Sequence, residues 1–289
     1  MKILLTGASG FIGGQLGRSL AARHQVIALV RRRGSAADWA DAEVLQDLTE
    51  PLGRSQLPDR VDAVIHLAQS AHYRDFPDHA GDVLAVNVVA TQQLLEYARL
   101  ARVSSFVYAS TGGVYGTSFE RFAESDPVDP IDFYLSSKYS AELMIGNYRR
   151  FFRTIVLRPF FVYGPGQAAR MLVPRLIERV RQDEPITIDG QPGLKVNPIF
   201  VSDAIRVFEP VLEFADSGVF NVAGNEVVTM TELVSLIGAV VGSEPIIEYV
   251  QASNEGDLVG DTSRMREVLG VVPRMTLRAG LDATAEGTE

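Results

Sequence analysis

The sequence predicts an α/β protein with a doubly wound parallel sheet, and two observations support this fold class. Its 289 residues and 46% hydrophobic content suffice for one large domain and a smaller one. Short aliphatic or β-branched runs also alternate with longer helical patterns along the first half of the chain. The runs that we interpret as strands are residues 2–6, 25–30, 61–67, 105–110 and 154–159.

Helices are predicted between these strands. The clearest covers residues 11–23, where Ile12, Leu16 and Leu20 recur every four residues on one face. Longer helices are predicted at residues 83–100 and 132–152. Strands that alternate with helices form parallel sheets with right-handed crossovers, so helices should cover both faces of this sheet.

The pattern changes after Tyr163, because Gly164-Pro165-Gly166 interrupts it and the later elements are shorter. We predict a first domain of residues 1–163 with a returning segment 196–222, and a smaller α/β substrate-binding region of residues 164–195 and 223–289. Residues 199–201 and 219–222 are expected to be strands that return to the first sheet. Residues 283–289 are expected to be a frayed tail.

Composition excludes several classes of function. The chain has no cysteine, so disulfides, thiolate nucleophiles and cysteine metal sites are excluded, and we predict no metal. A net charge of −9 disfavours nucleic acid as a partner. No apolar run reaches the roughly 18 to 20 residues that cross a bilayer, so we expect a cytoplasmic protein that binds small molecules and no membrane.

A glycine-rich turn follows the first predicted strand. In residues 6–13, TGASGFIG, the glycines allow a tight turn and close approach of the backbone to a phosphate at the start of the first helix. This motif in this context predicts a Rossmann-type site for a dinucleotide. The candidate cofactor-binding residues here are Gly7, Ser9, Gly10, Phe11, Ile12 and Gly13.

The second strand ends in Val30-Arg31-Arg32-Arg33 rather than in an acidic residue. A carboxylate at this point would accept a hydrogen bond from the ribose 2′-OH of NAD, whereas an arginine pairs with the 2′-phosphate of NADP. Arg31 therefore favours NADP over NAD, although three arginines are also common in a solvated turn.

A tyrosine and a lysine at the start of a predicted helix form the candidate catalytic pair. Tyr134 and Lys138 are four residues apart and so lie on one helix face. An ammonium beside a phenol favours the phenolate, which would lower the tyrosine pKa from its ordinary value of about 10. Thr111 follows a strand at the sheet edge where ligands bind, and its hydroxyl could donate to a substrate oxygen. Ser110 is the competing candidate.

These motifs together resemble the extended short-chain dehydrogenase/reductases, specifically the NAD-dependent epimerase/dehydratase family that modifies nucleotide sugars. The resemblance covers nearly the whole chain. It rests on residues 6–13, Asp47-Leu48, residues 66–68, Asn87 with Thr91, residues 110–116, Tyr134 with Lys138, Arg158-Pro159, residues 163–165 and Asp203.

The resemblance implies a catalytic triad of Thr111, Tyr134 and Lys138, with the last two also holding the cofactor. It implies further cofactor contacts from Asp47 and Leu48 at the adenine, from Leu67, Ala68, Gln69 and Asn87 around the cofactor, and from Phe160 and Phe161 near the nicotinamide. His66 lies in a buried aliphatic strand, where we interpret it as a core residue.

Some positions depart from the family pattern. Gly112-Gly113 stands where dehydratases carry an Asp-Glu pair, which makes dehydration by that route doubtful. Phe161 stands where epimerases often carry an asparagine. Epimerases also often carry an arginine for the substrate diphosphate near the position of Val196, and the only basic residue close to that position in the sequence is Lys195. Three arginines could still bind a phosphate: Arg170, Arg175 and Arg179.

Three functions remain open from the sequence. The chain could be an epimerase that oxidises and re-reduces a sugar, or an NADPH-dependent reductase of a keto sugar or other carbonyl compound. A cofactor-sensing protein without catalysis would not need Tyr134 and Lys138. The expected partner is a sugar nucleotide. A homodimer through the helices at residues 83–100 and 132–152 is also possible, although their apolar faces could equally serve the core.

Overall fold

The computed structural model describes residues 1–252 and 256–287, which form two compact units. The first consists of Met1–Val114, Asp129–Arg158 and Phe208–Phe220, and the second of Tyr115–Val128, Pro159–Val207 and Asn221–Glu289. The predicted division differs from these bounds in three places, the first being residues 159–163, which lie in the second unit. Residues 115–128 lie in the second unit because isolated bridges join Ser118 to Asp257 and Phe122 to Gly260. Only residues 208–220 of the predicted returning segment belong to the first unit.

The first unit contains a sheet of seven strands, ordered β11-β6-β5-β4-β1-β2-β3. The strands are β1 (Lys2–Thr6), β2 (Gln25–Val30), β3 (Ala42–Leu45), β4 (Ala63–His66), β5 (Ser105–Ala109), β6 (Arg153–Pro159) and β11 (Gly218–Val222). Neighbours from β3 through to β6 pair in parallel. The α/β fold class is therefore confirmed, with β3 as a strand that the sequence pattern did not predict.

Three helical segments connect these strands. Helix α1 covers Phe11–Ala21, and α4 covers Phe133–Asn147. The helix predicted at residues 83–100 is interrupted: α2 (Ala80–Leu84) and α3 (Ala90–Ala101) are joined by a π-helical turn at Ala85–Val89. Such turns hold an extra residue and are frequent at functional sites, and this one contains Asn87.

Aliphatic and aromatic side chains from both helices and strands build the core of this unit. Leu4, Leu94 and Phe106 are fully buried, and Ile145 of α4 packs into the same cluster. Burying one such side chain stabilises the fold by roughly 1.5–3 kcal/mol. This packing holds the carboxyl ends of the parallel strands rigidly at one edge, where Rossmann-type folds bind their ligands.

The second unit contains three small sheets and most of the later helices. The strand pairs are β7 (Val162–Tyr163) with β10 (Ile199–Phe200), β9 (Lys195–Val196) with β12 (Val228–Thr229), and β8 (Ile186–Asp189) with β13 (Ile247–Val250). The helices are α5 (Leu172–Arg181), α6 (Val201–Ile205), α8 (Met230–Val241), α9 (Ser263–Leu269) and α10 (Leu277–Glu286), while α7 (Phe208–Glu213) belongs to the first unit.

Two predictions for these later segments were wrong. Residues 199–200 pair with β7 and do not return to the large sheet, because Val201 already begins a helix. The expected frayed tail is largely helical, since α10 continues to Glu286; residues 288–289 lie outside the described part. Leu277, Leu281 and Ala285 repeat every four residues and are buried. Among the described residues, no helix is both long and apolar enough to cross a membrane.

Candidate active site

The glycine-rich turn connects β1 to the start of α1. Gly10 is the N-cap of α1, and no side chain caps this end of the helix. The backbone N–H groups of the first turn therefore have no side-chain acceptor. Gly7 has a positive φ of 70°. A Cβ on Gly13 would lie 2.1 Å from the carbonyl oxygen of Gly7, so only glycine fits there. The turn can therefore receive a pyrophosphate against bare backbone.

The end of β4 adjoins this turn. A Cβ on Gly7 would lie 2.8 Å from the backbone nitrogen of Ala68 and 2.9 Å from the carbonyl carbon of Leu67. The hydroxyl of Thr6 accepts a 3.2 Å hydrogen bond from Ala68 N and lies 2.7 Å from Nδ1 of His66. The structure thus brings the predicted cofactor segments of β1 and β4 together.

His66 is fully buried, as expected of a core residue. Its second ring nitrogen lies 2.9 Å from the hydroxyl of Thr91. Burial lowers the pKa of His66 to about 3, with the charge of Lys138 as a further cause. The ring is therefore neutral at physiological pH, and it links the hydroxyls of Thr6 and Thr91 through hydrogen bonds.

The remaining residues of the turn and of the adenine side are more exposed. Ser9 and Gly10 are exposed, and Phe11 and Ile12 are half-buried. Leu48 is buried, whereas Asp47 is exposed and its carboxylate accepts hydrogen bonds from Thr49. Those bonds lower the pKa of Asp47, and the charge of Arg31 lowers it further, so Asp47 and Arg31 share one electrostatic environment.

The catalytic tyrosine candidate lies in the first turn of α4. Asp132 caps the helix by accepting a 2.7 Å hydrogen bond from Leu135 N. The hydroxyl of Tyr134 donates a 2.8 Å hydrogen bond to Oε1 of Gln69, and its ring packs 4.8 Å from that of Tyr73. The hydroxyl of Tyr134 is therefore held beside the end of β4.

Lys138 is buried one turn further along α4. It is 1% exposed, and its Nζ donates a 2.6 Å hydrogen bond to the carbonyl oxygen of Ala109. The same nitrogen lies 4.3 Å from the centroid of the Tyr108 ring. Burial lowers the pKa of Lys138 to about 7, while the charge of Glu142 acts in the opposite direction.

The pKa of Tyr134 does not follow the expectation from its spacing to Lys138. We expected the Lys138 ammonium to lower the pKa of Tyr134, but burial raises that pKa, with Tyr73 and Asp132 as further causes. The cation that opposes this rise is Arg74. The reason is geometric, because the ammonium of Lys138 is directed to Ala109 and Tyr108.

The two adjacent hydroxyls after β5 differ in their surroundings. Ser110 is buried, and its Oγ donates a short hydrogen bond to the carboxylate of Glu142. Thr111 is half-buried, and its Oγ1 accepts a 3.2 Å hydrogen bond from Gly113 N, which leaves its own proton to donate. Thr111 is therefore the better candidate for a substrate contact.

Asn87 is hydrogen-bonded to α4, the helix that carries Tyr134 and Lys138. It is 1% exposed, its Nδ2 donates to Oγ of Ser137 at 2.9 Å, and its Oδ1 accepts from Ser70 N at 3.0 Å. Ser137 Oγ in turn donates to the carbonyl oxygen of Tyr134 at 2.7 Å. Asn87 thus joins the π-helical turn to α4 and to the segment after β4, a role that its motif alone did not indicate.

Phe160 and Phe161 belong to the second unit. Phe160 is 1% exposed and its ring stacks on that of Tyr115 at 6.2 Å. Phe161 is half-buried with a positive φ of 45°. Within its own unit Phe160 is a core residue, so of these two only Phe161 has side-chain surface left for a ligand.

Sequence reasoning missed Glu142 and the role of Arg158. Both are buried, and the guanidinium of Arg158 donates two bonds from Nε at 3.1 and 3.2 Å and one from Nη2 at 2.6 Å to the carboxylate. Glu142 follows Lys138 by four residues, so its place on the same helix face was a signal in the sequence.

Comparison with known proteins identifies the family of this chain. The model of the NAD dependent epimerase/dehydratase family matches residues 3–223. The chain belongs to this family. It is an enzyme of the extended short-chain dehydrogenase/reductase type, a nicotinamide-dinucleotide-dependent oxidoreductase or epimerase.

Among relatives in the family, a Bacillus subtilis protein described as an uncharacterized UDP-glucose epimerase is 29% identical over 97% of this chain and 96% of its own. A dTDP-glucose 4,6-dehydratase from Streptomyces griseus is 30% identical over 98% of this chain and 92% of its own.

Solved structures of the family are also similar. The UDP-glucuronic acid 4-epimerase from Bacillus cereus, in complex with UDP-glucuronic acid and NAD, has a TM-score of 0.88 and 26% identity over 99% of this chain and 98% of that chain. MoeE5, in complex with UDP-glucuronic acid and NAD, has a TM-score of 0.86 and 31% identity over 100% of this chain and 99% of that chain.

Proposed function

We propose that this enzyme epimerises a carbinol carbon of a nucleoside-diphosphate sugar. The observation that carries the proposal is the arrangement in the first unit: a half-buried threonine hydroxyl, a tyrosine hydroxyl and a buried lysine at the carboxyl edge of the sheet, beside a turn of bare backbone. The solved relatives that contain a UDP-sugar and NAD support the same substrate class.

The glycine turn suits the pyrophosphate of a dinucleotide. A side chain at Gly13 or Gly7 would collide with the backbone of the turn or of the segment after β4, so these glycines keep the turn tight, and the uncapped start of α1 suits a pyrophosphate. Leu48, Asp47 and Arg31 would hold the adenosine part, and Lys138 and Tyr134 the nicotinamide ribose. The bound nicotinamide supplies a hydride acceptor in the first step and a hydride donor in the second.

Each catalytic side chain has one task in this proposal. Tyr134 removes the proton of the substrate hydroxyl as the carbinol carbon loses hydride, and returns it when the opposite face of the ketone is reduced. Thr111 donates a hydrogen bond to the same oxygen. Tyr134 therefore starts and ends the cycle as a phenolate and is a neutral phenol while the ketone is present. With cofactor and substrate bound, the charge of Lys138 would favour that phenolate.

Gly112 and Gly113 favour epimerisation over dehydration. Loss of water from a sugar needs an acid and a base beside the ketone. The two residues after Thr111 carry no side chain that could serve, and the next residues, Val114 and Tyr115, are buried.

Arg31 favours a second candidate, an NADPH-dependent reductase of a keto sugar or another carbonyl compound. Arg31 is exposed directly after β2, where a 2′-phosphate would be received. In a reductase Tyr134 would act once, as an acid, and the cofactor would leave oxidised. We infer from the same arginine that NADP is favoured over NAD.

The nucleotide that the purified protein retains distinguishes an epimerase from a reductase. Purified enzyme is denatured and the released nucleotide is identified by chromatography and mass spectrometry. Stoichiometric NAD, together with interconversion of two epimeric UDP-sugars without added cofactor, is the result expected of an epimerase. An empty site that binds NADPH selectively and reduces a keto sugar would overturn epimerisation in favour of reduction.

We also propose a homodimer formed through α3 and α4. Leu100 on α3 and Leu143 on α4 are exposed apolar residues, and Leu84, Val89 and Phe151 extend the apolar surface. Light scattering of the wild type and of a Leu143→Glu variant tests this. A dimer that becomes monomeric is expected, and a monomeric wild type would contradict it.

A further inference from the structure

A cluster of three charged side chains is buried beneath the site. Lys138, Glu142 and Arg158 are 1%, 8% and 4% exposed. Burying a charge costs several kcal/mol unless it is paired and hydrogen-bonded. Three hydrogen bonds join Arg158 Nε and Nη2 to the carboxylate of Glu142, and Ser110 adds a fourth bond to that carboxylate. Lys138 donates to a neutral carbonyl instead.

Glu142 is the nearest anion to Lys138 along α4. The two residues are four apart, so their side chains project from one helix face. The charge of Glu142 raises the pKa of Lys138 against the larger lowering effect of burial. Arg158, at the end of β6, holds the carboxylate from the other side.

Three titratable side chains of the described elements around Lys138 are neutral. From β4, His66 is uncharged because burial lowers its pKa to about 3. From β5, Tyr108 lies under the ammonium and burial raises its pKa. From α4, Tyr134 is also protonated because burial raises its pKa. Glu142 is therefore the charged group that acts on the pKa of Lys138, and Arg158 is ion-paired with that carboxylate.

We propose that Glu142 and Arg158 are positioning residues that together set the protonation of Lys138. The carboxylate holds the buried ammonium in its charged form, while Arg158 fixes the carboxylate in place and partly neutralises it. The proposal rests on the proposed function only in the consequence for turnover, since a charged Lys138 is needed there to stabilise the phenolate of Tyr134.

This arrangement predicts opposite effects from the two partners of one ion pair. Glu142→Gln removes the anion and leaves the cation of Arg158, so the ammonium of Lys138 should lose its proton at lower pH. Arg158→Gln leaves the anion unneutralised, so Lys138 should keep its proton to higher pH. A merely structural ion pair would weaken the fold in both variants without such a difference in sign.

Lysine NMR can measure this directly, because the full sequence contains only Lys2, Lys138 and Lys195. The full-length chain is labelled with ¹³Cε-lysine and titrated, and the signals are assigned with Lys2→Arg and Lys195→Arg. We expect the Lys138 midpoint to fall by about one pH unit in Glu142→Gln and to rise by a similar amount in Arg158→Gln.

Two further variants serve as controls. Glu142→Asp keeps the charge and should restore the midpoint towards the wild-type value. Glu178→Gln removes an exposed glutamate of α5 in the second unit and should leave it unchanged. Circular dichroism verifies that each variant folds. If Glu142→Gln does not fold, the direction of the Lys138 midpoint shift in Arg158→Gln tests the proposal.

A Lys138 midpoint that is unchanged or falls in Arg158→Gln, or that fails to fall in folded Glu142→Gln, overturns the proposal. The titration needs no substrate, so its result stands even if epimerisation is wrong. In active enzyme, the basic limb of the kcat/KM profile should move in the same direction as the NMR midpoint. A moved midpoint with an inactive enzyme would instead count against the proposed function.

Discussion

The hydroxyls of Ser110 and Thr111 are adjacent in the chain, but only that of Ser110 is hydrogen-bonded to a buried carboxylate, that of Glu142. Ser110 therefore stabilises the buried carboxylate of Glu142, whereas the hydroxyl proton of Thr111 is available to donate a hydrogen bond to a substrate.

We expect Thr111→Val to lower kcat/KM by about 10²-fold while leaving stability nearly unchanged, because it removes a transition-state hydrogen bond. Ser110→Ala should instead reduce the free energy of unfolding by about 1–3 kcal/mol, since a buried carboxylate loses a donor. Urea denaturation and steady-state kinetics on both variants measure these effects. The reverse pattern, with Ser110→Ala the more damaging to catalysis at equal stability, would exchange the two roles.

Tyr134→Phe should abolish turnover, with a loss of about 10²–10⁴-fold, because the hydroxyl that moves the proton is gone. Binding of the dinucleotide, measured by isothermal titration calorimetry, should remain. Tyr139→Phe, a half-buried tyrosine on the same helix, is the matched control and should retain activity. Full activity in Tyr134→Phe would disprove the assignment.

Gly13→Ala should destabilise the fold and weaken dinucleotide binding, because its Cβ would lie 2.1 Å from the Gly7 carbonyl oxygen. Gly14→Ala is the neighbouring control, with its nearest contact 3.6 Å away at Arg18 Nη1. Alanine in a helix is favoured over glycine by about 1 kcal/mol, so Gly14→Ala should be neutral or stabilising. Thermal denaturation with and without NAD compares the pair, and equal behaviour of both variants would refute the steric argument.

Arg31→Asp should weaken NADP binding by roughly tenfold or more, since a charge-assisted contact to the 2′-phosphate becomes a repulsion. Arg33→Asp changes the charge equally at an exposed position nearby and should have a smaller effect. Fluorescence titration with NADPH and NADH measures both. If NADPH affinity is unchanged in Arg31→Asp, another residue reads that phosphate.

The pKa of Lys138 makes a further prediction about stability. Burial lowers this pKa to about 7 from an ordinary value of 10.5, so between these two pH values the unfolded chain binds more protons than the native one. The free energy of unfolding of the wild type should therefore rise with pH across this window relative to Lys138→Met.

Urea denaturation of both proteins at pH 7 and pH 9.5 measures this difference. We expect the wild type to gain roughly 1–3 kcal/mol relative to the variant at the higher pH. A difference that does not change with pH would mean that Lys138 titrates near its ordinary pKa in the folded chain.

Local patterns were sufficient to predict the central elements of the fold. The bounds of β1 and β2 follow from short apolar runs, and the start of α1 follows from the glycine turn. Strand β3 was missed because Glu43 and Val44 are only half-buried, which weakens the alternation that marks a strand. The helix at residues 83–100 was predicted unbroken because Ala85–Val89 is apolar apart from Asn87, so no glycine or proline marks the extra residue of the π-helical turn.

The site was predictable only where its chemistry is local in the sequence. Tyr134 with Lys138, and the glycines of the turn, are recognisable from spacing. The bond between Ser110 and Glu142 joins residues that are 32 apart, and only the packing of α4 against β5 brings them together. The same packing directs the Lys138 ammonium to the Ala109 carbonyl, which the spacing alone could not indicate.

The carboxylate of Glu43 accepts hydrogen bonds from the backbone nitrogens of Gly34 and Ala36, at 2.6 and 2.7 Å. The Glu43 side chain on β3 thus holds the main chain of the turn after Arg33, and the arginine side chains take no part in these hydrogen bonds. The side chains of residues 31–33 can consequently be substituted without removing the hydrogen bonds by which Glu43 holds this loop.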